Sequence, residues 1–160
     1  MNNNNTPTSP IPIDDDDLVI RLLEASDYHK GFFEVLSQLT SANKPSESDF
    51  ISRFTEMANR SCETIYVVEH IPEHKIIGTI SIFIEFKFIH NLSKVCHVED
   101  FVIDSNYRNK HLGSKLLQMA IQYARDANCY KIILDCEDKL ICFYEKFGFK
   151  KNANSMQLYF

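Results

Sequence analysis

Residues 102–113, Val-Ile-Asp-Ser-Asn-Tyr-Arg-Asn-Lys-His-Leu-Gly, combine charge, small size and position in a way that suits anion binding. They read as the end of a strand, a polar loop and the start of an amphipathic helix. A helix N-terminus leaves several backbone N–H groups without intrahelical partners, and its dipole favours negative charge there. Arg108 and Lys110 bring two cations to the same place, and Gly113, lacking a Cβ, lets a phosphate chain approach the backbone. A diphosphate suits such a site. A basic, solvated first helical turn is the other reading that this segment alone allows. Carboxylates flank it in sequence. Glu99 and Asp100 are neighbours on the preceding strand, so the pleat sends them to opposite faces and only one meets a given cleft. Asp135 falls in the apolar run Ile132–Cys136, where an unpaired carboxylate is costly, so it is expected to be buried with a partner or a task. Tyr144 has Phe143, Phe147 and Phe149 around it, which by residue type alone is core packing.

The elements that must position these residues follow from periodicity. Leu18–Leu22 is a short strand. Ser26 or Asp27 caps a helix running through Leu39, with Phe32, Phe33, Leu36 and Leu39 on one side. Ser46 opens a second helix over residues 46–59, with Asp49 in its first turn, where a carboxylate suits the dipole. The period then changes to two. Thr64–Glu69 and Ile76–Phe88 are strands joined by a hairpin loop at Pro72-Glu73-His74. The second alternates Ile80, Ile82, Ile84, Phe86 and Phe88 against Thr79, Ser81, Phe83, Glu85 and Lys87. His97–Ile103 leads into the polar loop, after which apolar residues at 112, 116, 119, 120, 123, 124 and 127 trace one helix face. Tyr130–Cys136 reads as a buried strand, Lys139–Phe147 as a short helix stopped by Gly148, and Met156–Phe160 as a last strand. The result is one mixed α/β domain over 18–160. Residues 1–17, an Asn run, three prolines and four aspartates, are expected to form a disordered tail.

Bulk properties narrow the function. A length of 160 residues with 44% hydrophobic and 24% charged residues suits a single globular domain. A net charge of −5 speaks against a general nucleic-acid binder. Five cysteines, without a Cys-x-x-Cys pair or a companion His cluster, read as reduced thiols in a cytoplasmic protein, with no metal site. No apolar run is long enough for a membrane span, and the N-terminus lacks the pattern of a signal peptide.

Arg108-x-x-His111-x-Gly113 resembles the Arg/Gln-x-x-Gly-x-Gly/Ala signature with which the GNAT superfamily of N-acetyltransferases binds the pyrophosphate of acetyl-CoA; His111 stands where the central glycine is usual. Leu36–Thr40, His97–Asp100, Cys129–Cys136, Phe143–Phe149 and Met156-Gln157 resemble, in order and spacing, the glucosamine 6-phosphate N-acetyltransferase family within it. The resemblance spans nearly everything after residue 18. It implies a central, mostly antiparallel twisted sheet flanked by helices, with strands splayed at the acetyl-CoA site. It places the cosubstrate on Arg108, Asn109, Lys110, His111, Leu112 and Gly113, and on the strand backbone of Phe101, Val102 and Ile103. It makes Tyr144 the proton donor to the CoA sulfur and sets Glu99, Asp100 and Asp135 around the sugar amine, with Glu99 and Asp135 as catalytic carboxylates. Lys87, His90 and Lys131 become the cations for the sugar phosphate, with Thr40, Phe88, Ile89 and Tyr130 completing the substrate pocket. Two further residues differ from the family: Leu140 replaces a common asparagine, and Tyr159 an arginine found in some relatives.

The activity so implied is acetyl transfer from acetyl-CoA to the 2-amino group of D-glucosamine 6-phosphate, in UDP-N-acetylglucosamine synthesis, by a homodimer whose C-terminal strands contribute across the interface. Acetylation of another small amine or of a protein N-terminus, and non-catalytic acyl-CoA binding, are the alternatives. A cationic polyamine would gain nothing from Lys87, His90 and Lys131, and a pure binder has no use for the carboxylates and Tyr144 together.

Overall fold

The structure, a computed structural model, describes residues 11–13, 15–60, 62–108 and 110–159. Among them six strands form one sheet in chain order: β1 (Ile11–Pro12), β2 (Leu18–Leu22), β3 (Glu63–His70), β4 (Lys75–Phe86), β5 (Lys94–Ile103) and β6 (Cys129–Ile133). The helices are α1 (Phe32–Leu36), α2 (Glu47–Ala58), the short turn α3 (Ile89–Leu92), α4 (Leu112–Asp126) and α5 (Ile141–Glu145). Each neighbouring pair of strands is antiparallel except β5–β6, which is parallel. A parallel pair needs a long crossover, and α4 supplies it. That crossover sets the start of α4 beside the end of β5.

Both faces of the sheet are covered. On one, Leu112, Leu116, Ala120 and Ala124 of α4 join Ile20, Tyr66, Val68, Ile80, Ile82, Ile84, Cys96 and Val98 in a single cluster, with Met119, Tyr123 and Ala127 packed against it. The helix face expected from the sequence is therefore the one that is buried. On the other, Phe32 and Phe50 of α1 and α2 pack with Val67 and Ile76, supported by Tyr28, Phe33, Leu36 and Phe54. Thr79, opposite Val67 in the register, is fully buried as a result, and its hydroxyl donates to the Tyr66 carbonyl at 3.2 Å. Alternation in β4 thus holds at Ile80, Ile82 and Ile84 but marks two covered faces. It ends at the strand's far end, where Phe86 and Phe88 are 69% and 95% exposed.

Several expected elements come out differently. The helix through Leu39 is broken: Ala25–His29 is a 3-10 turn, Gly31 sits in the left-handed region at φ 84°, and only Phe32–Leu36 is α-helical. Asp27 caps no long helix. Its fully buried carboxylate accepts from the Glu24 N–H at 2.8 Å and takes two Arg21 N–H bonds at 2.7 Å each. Arg21 also reaches Glu69, as does Lys30 at 3.0 Å, so one ionic cluster ties β2, β3 and the 3-10 turn together. By contrast, Ser46 does cap α2, accepting from the Asp49 N–H at 3.2 Å. Ordered packing also begins earlier than Leu18: Ile11 and Pro12 pair with Ile20 and Val19, and Ile13 is buried. The strand expected over Tyr130–Cys136 is Cys129–Ile133 at the sheet edge, with Tyr130, Lys131 and Ile133 exposed. Met156–Tyr159 forms no strand, because a strand needs a ladder partner and no strand of the same chain pairs with it among the described residues. Phe160 lies outside the described residues.

Candidate active site

The site starts where β5 leaves β6. Their pairing runs from Lys94↔Cys129 to His97↔Ile133 and stops there, so Val98–Ile103 diverges from the chain after Ile133. On its other side β5 stays with β4, but the register jumps from Ser81↔Glu99 to Thr79↔Val102. Asp100 and Phe101 are the unmatched residues of a β-bulge, with Asp100 at φ 45°. A bulge frees backbone polar groups from the ladder and re-aims side chains. Backbone from Phe101 to Ile103 therefore borders the wedge between the strands.

The bulge falls at the predicted carboxylates Glu99 and Asp100. Alternation breaks there, and both side chains are exposed. The Glu99 carboxyl is held above the ordinary glutamate value by partial burial and by the negative charges of Asp100 and Asp135, partly opposed by His97. The three predicted carboxylates thus share one electrostatic neighbourhood. Asp135 is not the buried acid that its apolar neighbours imply. The strand ends at Ile133, leaving Asp135 exposed, where it accepts from the Ser155 hydroxyl at 3.1 Å.

Tyr144 is buried on α5, its ring edge-on to Phe101, Phe143 and Phe149 with centroids 6.4, 5.1 and 5.7 Å away. Its hydroxyl has no hydrogen-bond partner among the described residues. Burial, with a smaller push from Cys136, raises the phenol to about 12, so it stays protonated through the neutral range. The ring is core, and it lies against the strand that borders the wedge. Leu140 precedes α5 with its side chain partly exposed.

The polar turn follows at the end of β5. Asp104, nearly fully buried, accepts from the Asn106 N–H at 3.0 Å and from Lys75 Nζ at 3.0 Å. Tyr107 donates to Glu73 at 2.9 Å, and Ser105 N–H donates to Gln38 Oε1 at 2.8 Å. These bonds hold the single 3-10 turn Ser105–Tyr107, from which the chain enters α4. Arg108 is exposed with Nε turned back toward the Ile103 carbonyl at 3.3 Å, and Lys110 Nζ is 5.7 Å from the Tyr107 ring centre. Asn109 lies outside the described residues. His111 takes the N-cap position in the left-handed region, φ 59° and ψ 12°, with its side chain exposed and making no cap bond. This conformation explains why glycine is usual there in the resembling signature. Leu112 sends its side chain into the core and offers only its N–H outward. A Cβ at Gly113 would meet Phe101, Ile103 and Phe143 at 3.6–3.9 Å, which is ordinary contact. The missing Cβ thus points toward β5 and α5. With the free N–H groups of the first turn and two exposed cations, the donor set suits a diphosphate.

The expected substrate residues are only partly gathered. His90 stacks near Tyr130 with ring centres 4.5 Å apart, and Lys131 Nζ lies 5.5 Å over the same ring. Lys87, however, is ion-paired with Glu85, which also binds His97 Nε2 at 3.0 Å. Phe88 and Ile89 are exposed, and the turn that follows holds His90, Asn91 and Leu92 in left-handed conformations. Thr40 is exposed after α1, its N–H on the Leu36 carbonyl at 3.3 Å. A cleft of about 520 Å³ is lined by Tyr130 and Lys131 with Arg125 and Lys150, but by neither Tyr144 nor the carboxylates. Glu85, His97, Gln38, Lys75 and Glu73 escape the sequence reading, because each acquires its role only from a partner distant in the chain.

Residues 28–149 match the model of the acetyltransferase (GNAT) family. The glucosamine 6-phosphate N-acetyltransferase of Arabidopsis thaliana is 40% identical over 142 residues, covering 88% of this chain and 95% of that protein. Glucosamine 6-phosphate N-acetyltransferase 1 of Dictyostelium discoideum is 39% identical over 146 residues, covering 91% and 92%. The crystal structure of the Arabidopsis enzyme superposes with a TM-score of 0.86 over 89% of this chain and 98% of that one.

Proposed function

Because this chain belongs to the acetyltransferase (GNAT) family, we propose that it transfers the acetyl group of acetyl-CoA to the 2-amino group of D-glucosamine 6-phosphate. The products are CoA and N-acetyl-D-glucosamine 6-phosphate, a precursor in UDP-N-acetylglucosamine synthesis. The observation that carries the reading is the parting of β5 from β6 after His97↔Ile133, with Tyr144 packed against Phe101 of β5 and Glu99 on the same strand beside Asp100 and Asp135.

When bound, acetyl-CoA supplies the activated thioester. Arg108, Lys110 and the N–H groups at the start of α4 hold its pyrophosphate. Glu99 accepts the proton of the sugar ammonium, directly or through water, with Asp100 and Asp135 keeping the neighbourhood negative and so favourable to a cationic amine. Backbone N–H groups freed around the bulge at Asp100–Phe101 face the charge that develops on the carbonyl oxygen. Tyr144 donates its proton to the departing sulfur. His90, Lys131 and Tyr130 form the phosphate end of the acceptor site, with Thr40, Phe88 and Ile89 at its border; Lys87 joins them by leaving Glu85.

The acetyltransferase domain extends from about residue 11 to the C-terminus, in a cytoplasmic homodimer. Met156, Leu158 and Tyr159 are 95%, 78% and 85% exposed, and a second copy offers the ladder partner and apolar cover that one chain leaves out. The reaction is tested by following thiol release from acetyl-CoA. Glucosamine 6-phosphate is expected to trigger CoA release and unphosphorylated glucosamine is not. Equal rates with both would remove the phosphate pocket, and no release with any amine would leave an acyl-CoA-binding module.

A further inference from the structure

The turn preceding Arg108 is held from two directions. Lys75, at the start of β4, and Glu73, in the β3–β4 hairpin, hold Asp104 and Tyr107 from one side. Gln38 holds it from the other. Its Oε1 accepts the Ser105 N–H at 2.8 Å across 67 residues of sequence. One carboxamide thus holds the backbone at the root of the pyrophosphate turn.

Gln38 belongs to the segment just after α1, its own N–H bonded to the Val35 carbonyl at 3.0 Å. Thr40, two residues on, is tied by the same turn to Leu36. Gln38 and Ser105 are both exposed, so their bond adds little to folding compared with the buried ionic cluster around Arg21. What the bond does is mechanical. The Ser105–Tyr107 turn sets the direction in which Arg108 and the start of α4 emerge, and Gln38 connects that direction to the segment carrying Thr40.

We propose that Gln38 is a positioning residue that couples the acceptor-side segment 37–40 to the Arg108–Gly113 turn, so that each ligand binds more tightly when the other is present. The identity of the acceptor rests on the acetyl-transfer reading above. The coupling is reciprocal, as any equilibrium coupling between two sites must be.

The test is calorimetric titration of CoA into the full chain, with and without saturating glucosamine 6-phosphate, for the wild type, Gln38→Ala and Gln38→Glu. In the wild type the sugar phosphate tightens CoA by about fivefold. Gln38→Ala weakens CoA alone by about fivefold, the scale of one lost hydrogen bond, and abolishes the response to sugar phosphate. Its thermal midpoint stays at the wild-type value. Gln38→Glu sets a second carboxyl against Asp104, with Lys75 as the facing cation and Tyr107 and Glu73 beside it. Above neutrality the two carboxylates repel and CoA binds weakly. On acidification the introduced carboxyl takes up a proton, which relieves the repulsion, keeps an oxygen for the Ser105 N–H and restores the CoA affinity; a purely structural role would give no such rescue. Wild-type CoA affinity in Gln38→Ala, or pH-independent weakness in Gln38→Glu, overturns the proposal. Acetylation of the sugar phosphate with unchanged coupling in Gln38→Ala also overturns it and leaves the activity standing. Conversely, if glucosamine 6-phosphate neither binds nor reacts, the acceptor assignment and the coupling fall together, and the loss of CoA affinity in Gln38→Ala still reports Gln38's hold on the turn.

Discussion

Replacing His111 by glycine is expected to stabilise the protein, although glycine is ordinarily a poor choice at a helix boundary facing solvent. The magnitude follows from the local geometry. His111 occupies the left-handed region at φ 59°, where a residue with a Cβ is disfavoured by roughly 1–2 kcal/mol. Its side chain is exposed and makes no cap bond, so removing it forfeits neither burial nor a hydrogen bond. Against this, glycine loses more backbone freedom on folding, about 0.5–1 kcal/mol relative to alanine. Glycine is also accepted at N-cap positions far better than alanine. The balance is a gain of roughly 0.5–1 kcal/mol, which for a domain of this size raises the midpoint by about 1–4 °C. His111→Ala keeps the positive φ without the relief and serves as the control. The assay is urea unfolding of both variants beside the wild type, with the slope checked for constancy so that the midpoints compare stabilities. Equal destabilisation by glycine and alanine would refute the argument, because it would mean that the left-handed conformation carries no penalty and that the imidazole does something the geometry does not show. CoA affinity in His111→Gly should be at least that of the wild type, since the substitution takes bulk away from the phosphate side of the turn.

Tyr144→Phe keeps the ring packing against Phe101, Phe143 and Phe149 but removes the proton; kcat should fall by about 10²-fold or more while acetyl-CoA affinity changes little, and an unchanged kcat would take Tyr144 out of the reaction. The raised Glu99 carboxyl places the acid limb of kcat/KM above the ordinary glutamate value near ~4.3, because the base is lost to protonation earlier as pH falls. Asp100→Asn and Asp135→Asn each remove a negative neighbour and should move that limb down; a limb that stays put in both would exclude Glu99 as the base. Burial pushes the Asp27 and Glu69 carboxyls up, yet hydrogen bonds and charge from Arg21 and Lys30 bring both below their ordinary values. The stability they confer is therefore present above the unfolded-chain value near ~4 and is lost as pH falls through the folded one. Arg21→Met should cost about 3–5 kcal/mol near pH 7 by stranding a buried carboxylate, with a smaller difference from wild type in acid, and a constant difference across pH would show that packing alone is at stake.

The parts of the molecule legible in the sequence are those governed by neighbours along the chain. Leu112, Leu116, Ala120 and Ala124 repeat at helical spacing, and Ile80, Ile82 and Ile84 alternate; in each case the periodic face is the one the core buries, because burial selects by periodicity. Ser46 caps α2 because a hydroxyl three residues before Asp49 reaches its N–H wherever the helix later packs. The anion-accepting turn is legible for the same reason, as a helix start is a local object. The tertiary structure decided whatever depends on register or on a distant partner. A two-residue bulge in β5 exposes Glu99 and Asp100 together, although strand alternation alone sends them apart. The end of β6 at Ile133 leaves Asp135 in solvent despite its apolar neighbours. The C-terminal Met156–Tyr159 has the composition of a strand but lacks the ladder partner that makes one. That the missing Cβ of Gly113 points to Phe101 and Phe143 is likewise set by how α4 crosses β5. Residue types and spacing therefore determined a basic helix start of the kind that suits an anion; strand register and the packing of α4 and α5 decided where the carboxylates, the phenol and the bulge backbone lie along β5 and β6.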